Sequence, residues 1–114
     1  VSKYHNNRAT IDGITFDSVR EANRYANLKL LERAHLITEL ELQKEFELIP
    51  AQFEQVGKKR KCLERKCTYK ADFYYFDKEK HCYVCEDVKG VRTKDYIIKR
   101  KLMLYVHGIR IIEV

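Results

Sequence analysis

The stretch Ala71-Asp72-Phe73-Tyr74-Tyr75-Phe76 is followed, after Asp77-Lys78-Glu79-Lys80, by Tyr83-Val84-Cys85-Glu86-Asp87-Val88-Lys89-Gly90. Both runs are rich in aromatic and β-branched residues, the composition of strands, and the polar tetrapeptide between them reads as a turn. Together they predict a hairpin. It carries charged residues inside apolar runs: Asp72, Asp87 and Lys89. With the tetrapeptide as the loop, Phe76 faces His81 and Asp72 lies opposite Cys85. Opposite residues share a face, and so do alternate residues along a strand. Asp72, Asp87 and Lys89 then fall on one side, with the aspartates in diagonal contact and Glu86 on the other side. A two-residue loop, Lys78-Glu79, keeps this parity; a three-residue loop reverses it and favours Glu86.

Two carboxylates held close repel each other. A hard divalent cation resolves the conflict, since Mg²⁺ accepts one or two carboxylates and keeps several waters. A lysine on the same face can orient a water or neutralise charge on a phosphate. The plainer alternative is a solvated hairpin with ordinary cross-strand Asp–Lys pairs.

Asp72, a second strand, then Asp87-Val88-Lys89 resembles the PD-(D/E)XK nuclease signature, with Ala71 where a proline usually precedes the first aspartate. The segments FDSVREANRY, LQKEFEL, ADFYY and EDVKG, in this order, resemble a phage-encoded nuclease-like domain family. That family is akin to very-short-patch repair and transposon end-cleaving endonucleases. The resemblance spans roughly Tyr4 to Val114. It implies a restriction-endonuclease-like α-β-β-β-α-β core, an α/β (α+β) fold with a mixed sheet between two helices. It also implies a DNA endonuclease using Mg²⁺ or Mn²⁺, with Asp72 and Asp87 as metal ligands and Lys89 positioning the attacking water. Branched or recombining DNA is the expected substrate, and the host cell cytoplasm the expected location.

The chain of 114 residues has room for one domain with a modest core. The expected division is a single domain over residues 1–114, with an N-terminal arm and hairpin over 1–16. Hydrophobic residues make up 45% and charged residues 35%, a globular balance, and no apolar run approaches a membrane span. No membrane partner and no secretion signal are expected. The net charge of +6 and pI near 9.1 suit a polyanionic partner such as DNA. Cys62, Cys67, Cys82 and Cys85, with His81 adjacent, have a spacing that could suggest zinc. Cys82 and Cys85 lie an odd number apart on a strand, however, and reduced thiols are the expectation.

Val1 to Ala9 reads as an extended basic arm, with Lys3, His5 and Arg8. Asp12-Gly13 between short β-type runs predicts a tight hairpin. A helix starts at Asp17 or Ser18 and reaches about Ala34, with Val19, Ala22, Ala26 and Leu30 as its stripe, widened by Leu28 and Leu31. Glu21 has two readings. Ser18-Val19-Arg20-Glu21 is a capping box, in which the glutamate returns to the helix-start N–H. The resemblance instead implies that Glu21 is a helix-borne carboxylate serving as a metal ligand or positioning a water.

Glu39 to Leu48 predicts a strand with Leu40, Leu42, Phe46 and Leu48 on one face, interrupted by Lys44. Its other face, Glu39, Glu41, Gln43, Glu45 and Glu47, would repel phosphates and is expected in solvent or paired with lysines. Gln43 matches a glutamine in the related nucleases, which implies a supporting role beside the ligands. Pro50 ends this strand, and Gln52 to Val56 is a candidate to pair with it. Lys58, Lys59, Arg60 and Lys61, then Arg65 and Lys66, are the strongest local candidates for phosphate contact, or else a solvated loop. Thr93 can cap a helix over Lys94 to His107, stopped by Gly108, with Ile98, Leu102 and Tyr105 buried. Lys101 and Tyr105 have the spacing of a Q-x-x-x-Y motif of some related nucleases, with lysine in place of glutamine. This makes Lys101 a candidate phosphate contact, or a snorkelling surface lysine. Ile109 to Val114 reads as a last strand.

Two other classes fit the same chain. A DNA-binding adaptor could keep the fold without catalysis, and a zinc-stabilised nucleic-acid-binding domain could be organised by the cysteines. A homodimer is expected if both strands of a duplex are cut.

Overall fold

The computed structural model describes residues 7–89 and 91–114. Most of the expected basic arm, with Lys3 and His5, lies outside the described residues, as does Gly90. Strands β1 (Ala9–Ile11) and β2 (Ile14–Phe16) form the expected hairpin. Asp12 and Gly13 have φ of 54° and 76°, the pair of positive values a type I′ turn needs.

Helix α1 (Val19–Arg33) follows, and the Ser18 hydroxyl accepts from the Glu21 N–H at 3.1 Å. Ala22 and Leu28 of the expected stripe are buried and Leu31 packs on the same core, but the third buried residue is Tyr25, and Val19 and Leu30 turn outward. Val19 and Leu30 are 46% and 59% exposed. Tyr25 sets the rotation. Its ring packs 5.0 Å from that of Phe16, and its hydroxyl donates to Asp12 at 2.9 Å.

The main sheet has the order β3 (Ile37–Ile49), β6 (Cys67–Asp77), β7 (Cys82–Asp87), β8 (Ile111–Glu113). The first three strands are antiparallel and β8 is parallel to β7. Helix α2 (Lys94–Leu102) precedes β8, capped by Thr93, whose hydroxyl accepts from the Tyr96 N–H at 3.1 Å. The fold is therefore α+β, with a mixed sheet and two helices. The expected single helix over Lys94–His107 instead changes pitch, into a π-helical turn at Met103–His107 that ends at Gly108 with φ 67°. That widening turns Met103 inward and leaves Tyr105 87% exposed. Tyr96 and Met103 are the buried residues here, while Ile98, expected inside, is 57% exposed.

Two corrections concern the strands. The hairpin loop is Lys78–His81, so Phe76 pairs with Tyr83, not His81. The Asp77 carboxylate causes this by accepting from the N–H groups of Glu79 and Lys80, both at 3.0 Å, which shapes the turn. A shift of two residues keeps the parity: the pairing runs to Phe73 opposite Glu86 and Cys85 faces Tyr74, so Asp72 comes level with Asp87 one step beyond the last pair. The second correction is that β4 (Gln52–Val56) does not join β3. It pairs with β5 (Lys59–Glu64) in a separate two-stranded ribbon, where a basic loop was a possible reading.

β3 and β6 cross the molecule and serve two cores. Phe73 and Tyr75 pack with Ala22, Tyr25 and Leu28 of α1. Tyr69 and Ala71 pack with Cys85, Tyr96 and Met103 beneath α2. The same division runs along β3. Leu40 and Leu42 join the first cluster, and Phe46 and Leu48 the second. The expected single apolar face is thus split at Gln43, whose φ of 54° is left-handed. The acidic edge of β3 finds partners: Glu41 with Lys44 at 3.4 Å, Glu45 with Lys66 at 3.7 Å, and Glu39 with the Tyr83 hydroxyl at 2.8 Å.

Candidate active site

The charged residues meet where the left-handed Gln43 of β3 lies across from Asp72 of β6. Asp72 is half-buried between the two cores. One of its oxygens accepts from the Val88 N–H at 2.8 Å, and the other from the Gln43 side-chain amide at 3.2 Å. The same amide donates to Glu21 Oε1 at 3.3 Å. Gln43 therefore links the helix carboxylate to the strand carboxylate. Only half of the capping box forms: the Ser18 hydroxyl accepts from the Glu21 backbone N–H, while the Glu21 carboxylate, instead of returning to the helix start, faces Gln43.

Asp87 is 2% exposed. Its Oδ2 accepts from the Tyr69 hydroxyl at 2.5 Å. Lys89 Nζ lies 3.1 Å from Oδ1, close enough for charge attraction but off a hydrogen-bond direction, so Oδ1 has no hydrogen-bond partner. A buried carboxylate oxygen with free lone pairs is costly unless something else uses it. The Lys89 ammonium is fixed 4.3 Å above the Tyr96 ring, a cation–π distance. Tyr96 is held in turn by its hydroxyl bond to Glu113 at 2.7 Å. Arg92 at 2.6 Å and Arg100 at 3.4 Å pair with Glu113, and the Arg92 and Tyr96 hydrogen bonds pull its carboxyl down to about 2. The Lys89 carbonyl accepts from Arg20 of α1 at 3.1 Å.

The carboxylates feel one another. Burial, then the charges of Asp72, Asp17 and Asp87, push Glu21 up to about 7. Burial and Asp87 also raise Asp72, against the opposing hydrogen bonds from Val88 and Gln43. Two clefts of about 520 Å³ and 280 Å³ open at this place, and both are lined by Asp72 and Lys89. Glu21 lines the first, and Asp87 lines the second.

Among the described residues, no three His, Cys, Asp or Glu side chains converge closely enough to enclose a metal ion. Glu21, Asp72 and Asp87 are thus not a closed cage. An ion held by one or two carboxylates and otherwise hydrated, the manner of Mg²⁺, would find its donors in the unpartnered Asp87 oxygen and in Asp72 across the hairpin. The cysteines are dispersed. Cys62 is on the ribbon, Cys67 and Cys82 stand at opposite ends of the β6–β7 hairpin, and Cys85 is buried, which pushes its thiol up to about 12.

Glu21, Gln43, Asp72, Asp87 and Lys89 are therefore neighbours. Lys58, Lys59, Arg60 and Lys61 lie on the ribbon, and Lys101 lines a different cleft with Arg100 and Arg110. The chain belongs to the family described as "Protein of unknown function (DUF1064)". The family's profile matches residues 1–110 and so takes in every one of these side chains. No curated protein and no solved structure matches the chain.

Sequence reasoning missed the supports: Tyr69 under Asp87, Tyr96 under Lys89, and Arg20. It also missed the partners of Glu86. Arg24 reaches that carboxylate with two hydrogen bonds, at 2.7 and 2.6 Å, and Tyr75 with one at 2.5 Å. A signal existed for Arg24, which is one turn beyond Glu21 on the same helix and therefore faces the same strands. Among the described residues, no helix is long and apolar enough to cross a membrane.

Proposed function

We propose that this chain is a DNA endonuclease with a restriction-endonuclease-like core, dependent on Mg²⁺ or Mn²⁺. The carrying observation is the buried Asp87 Oδ1, which has no hydrogen-bond partner although Asp72 and Lys89 stand beside it. The chain order α1, β3, β6, β7, α2, β8 supports the reading, since it is the α-β-β-β-α-β order with the ribbon inserted between its first two strands.

Asp72 and Asp87 hold the ion in this reading. When bound, it supplies Lewis acidity and lowers the pKa of a coordinated water. Lys89 orients the attacking water and offsets charge at the phosphate, with Tyr96 keeping its ammonium in place. Glu21, with a pKa near neutral, can accept a proton from a water in the larger cleft. Gln43 keeps Glu21 and Asp72 in register. In-line attack on the phosphodiester opens one strand per site, so paired cuts call for a second copy of the chain.

The test is cleavage of labelled linear duplex, single strand, flap and four-way junction with Mg²⁺, Mn²⁺ or EDTA. Cutting that needs the metal and disappears in Asp87→Ala and Lys89→Ala, with DNA binding retained, supports the reading. Undiminished cutting by both variants would falsify it. A non-catalytic adaptor is the second reading, favoured by the absence of a three-ligand cage among the described residues. It predicts tight binding with no cutting under any metal.

A further inference from the structure

The β4–β5 ribbon stands apart from both cores. Every residue of the two strands is exposed, and neither strand joins the main sheet. The Cα radius of gyration is 17.4 Å, against about 13 Å for a compact chain of this length. Isolated two-stranded hairpins are marginal in water, so a ribbon without a hydrophobic face is conspicuous. Its charge is as unusual as its position. Lys58, Lys59, Arg60 and Lys61 face only Glu54 and Glu64 on the ribbon, and Arg65 and Lys66 follow at its base.

The register sorts these residues onto faces. Gln55 lies opposite Arg60, and Phe53 opposite Cys62, so these four share one side. The Arg60 guanidinium stacks 3.6 Å from the Phe53 ring centroid, which holds it flat and leaves its edge free to donate. Glu54, Val56, Lys59 and Lys61 share the other side. One face thus presents an arginine and a glutamine, the side-chain types that read guanine and adenine edges; the Gln55 amide donates one N–H to the Gly57 carbonyl at 3.0 Å and keeps its other N–H and its oxygen, and lysines suited to phosphates stand behind.

We propose that the β4–β5 ribbon enters the major groove of duplex DNA, with the Arg60 and Gln55 face toward the bases. This rests on the reading of DNA as the partner and adds where the duplex is gripped. The major groove of B-form DNA, about 12 Å wide, admits a two-stranded ribbon, whereas that of A-form RNA is too narrow for side chains to read. Ile49 lies six residue steps along β3 from Gln43, a rise of about 20 Å, so the grip begins about six base pairs from the aspartates.

The experiment measures binding by fluorescence anisotropy in EDTA, where no metal-dependent cutting occurs. It compares the wild-type chain with the combined variant Lys58→Ser, Lys59→Ser, Arg60→Ser and Lys61→Ser, on a duplex of about 24 base pairs across a salt series. All four positions are exposed, and unchanged circular dichroism checks the fold. The expected result is affinity reduced at least about tenfold at 0.1 M salt, with the slope of log K against log salt shallower by about 3. Arginine at the three lysine positions should retain binding, and an RNA duplex of the same sequence should bind at least about tenfold more weakly.

An unchanged slope and affinity in the serine variant overturns the ribbon, even if the wild type cuts DNA. Equal affinity for RNA and DNA overturns groove entry, and a wild-type chain that binds no duplex overturns both. Ribbon-dependent binding without cutting under any metal keeps this inference and removes the endonuclease.

Discussion

Glu86 and Asp87 are consecutive, both carboxylates, and both buried, at 1% and 2% exposure. They differ in what surrounds them. Glu86 points to the α1 side, where Arg24 and Tyr75 provide three donors between them. Asp87 points to the α2 side, where Tyr69 provides one donor and the second oxygen has the Lys89 ammonium 3.1 Å away but no hydrogen bond. Alternation along a strand separates a carboxylate that ties helix to sheet from one that is held open. Burial alone does not distinguish structure from chemistry; the count of satisfied lone pairs does.

The largest effects should test that contrast directly. Glu86→Ala strands Arg24 and the Tyr75 hydroxyl and should cost about 3–5 kcal/mol in urea unfolding, the range for breaking one side of a buried ion pair. Asp87→Asn should leave the unfolding midpoint level or raised, because it removes a charge with too few donors. It should lower any Mg²⁺-dependent cleavage by roughly 10³-fold. If both variants lose stability equally, the contrast is wrong.

Tyr69→Phe should come next. It removes the one hydrogen bond of Asp87 and should lower cleavage about tenfold while DNA affinity stays constant. Glu21→Gln is a smaller test. The Glu21 pKa is raised to about 7 in the fold, so its ionisation costs stability as pH rises from its ordinary value through neutrality. The variant should therefore melt higher than wild type at pH 8, with the difference gone below about pH 4.5.

The smallest effect should be at Glu113, whose carboxyl is held near 2 by Arg92 and Tyr96. A depressed carboxyl stabilises the fold above its ordinary pKa, and that contribution is lost as pH falls from about 4.5 toward 2. Glu113→Gln should accordingly lower the melting point at pH 7 and converge on wild type in acid.

Local signals made much of this legible. Ser18 and Thr93 cap their helices, Asp12-Gly13 turns its hairpin, and the parity that groups Asp72 with Asp87 survived a wrong loop. The faces were harder. A period of two along β3 assigns Leu42 and Phe46 to one side, but the left-handed Gln43 between them divides them between two cores. Nothing in a glutamine announces that conformation. The stripe on α1 was legible at Ala22 and Leu28 but not at Tyr25, which is amphipathic, ambiguous in a hydrophobic pattern, and sets the helix rotation. Gly57 was the overlooked cue on the ribbon. It takes φ 61° at a two-residue loop, the device that turns a basic run back against Gln52–Val56.

The shared path of β3 and β6 bears on cooperativity. Each apolar cluster contains seven buried residues, too few to sustain an independent unit. Both depend on the same two strands, so melting one removes the scaffold of the other. The two clusters should exchange their amide hydrogens as one slow unit, with the ribbon exchanging far sooner. A domain with two cores would then behave, on heating, as though it had one.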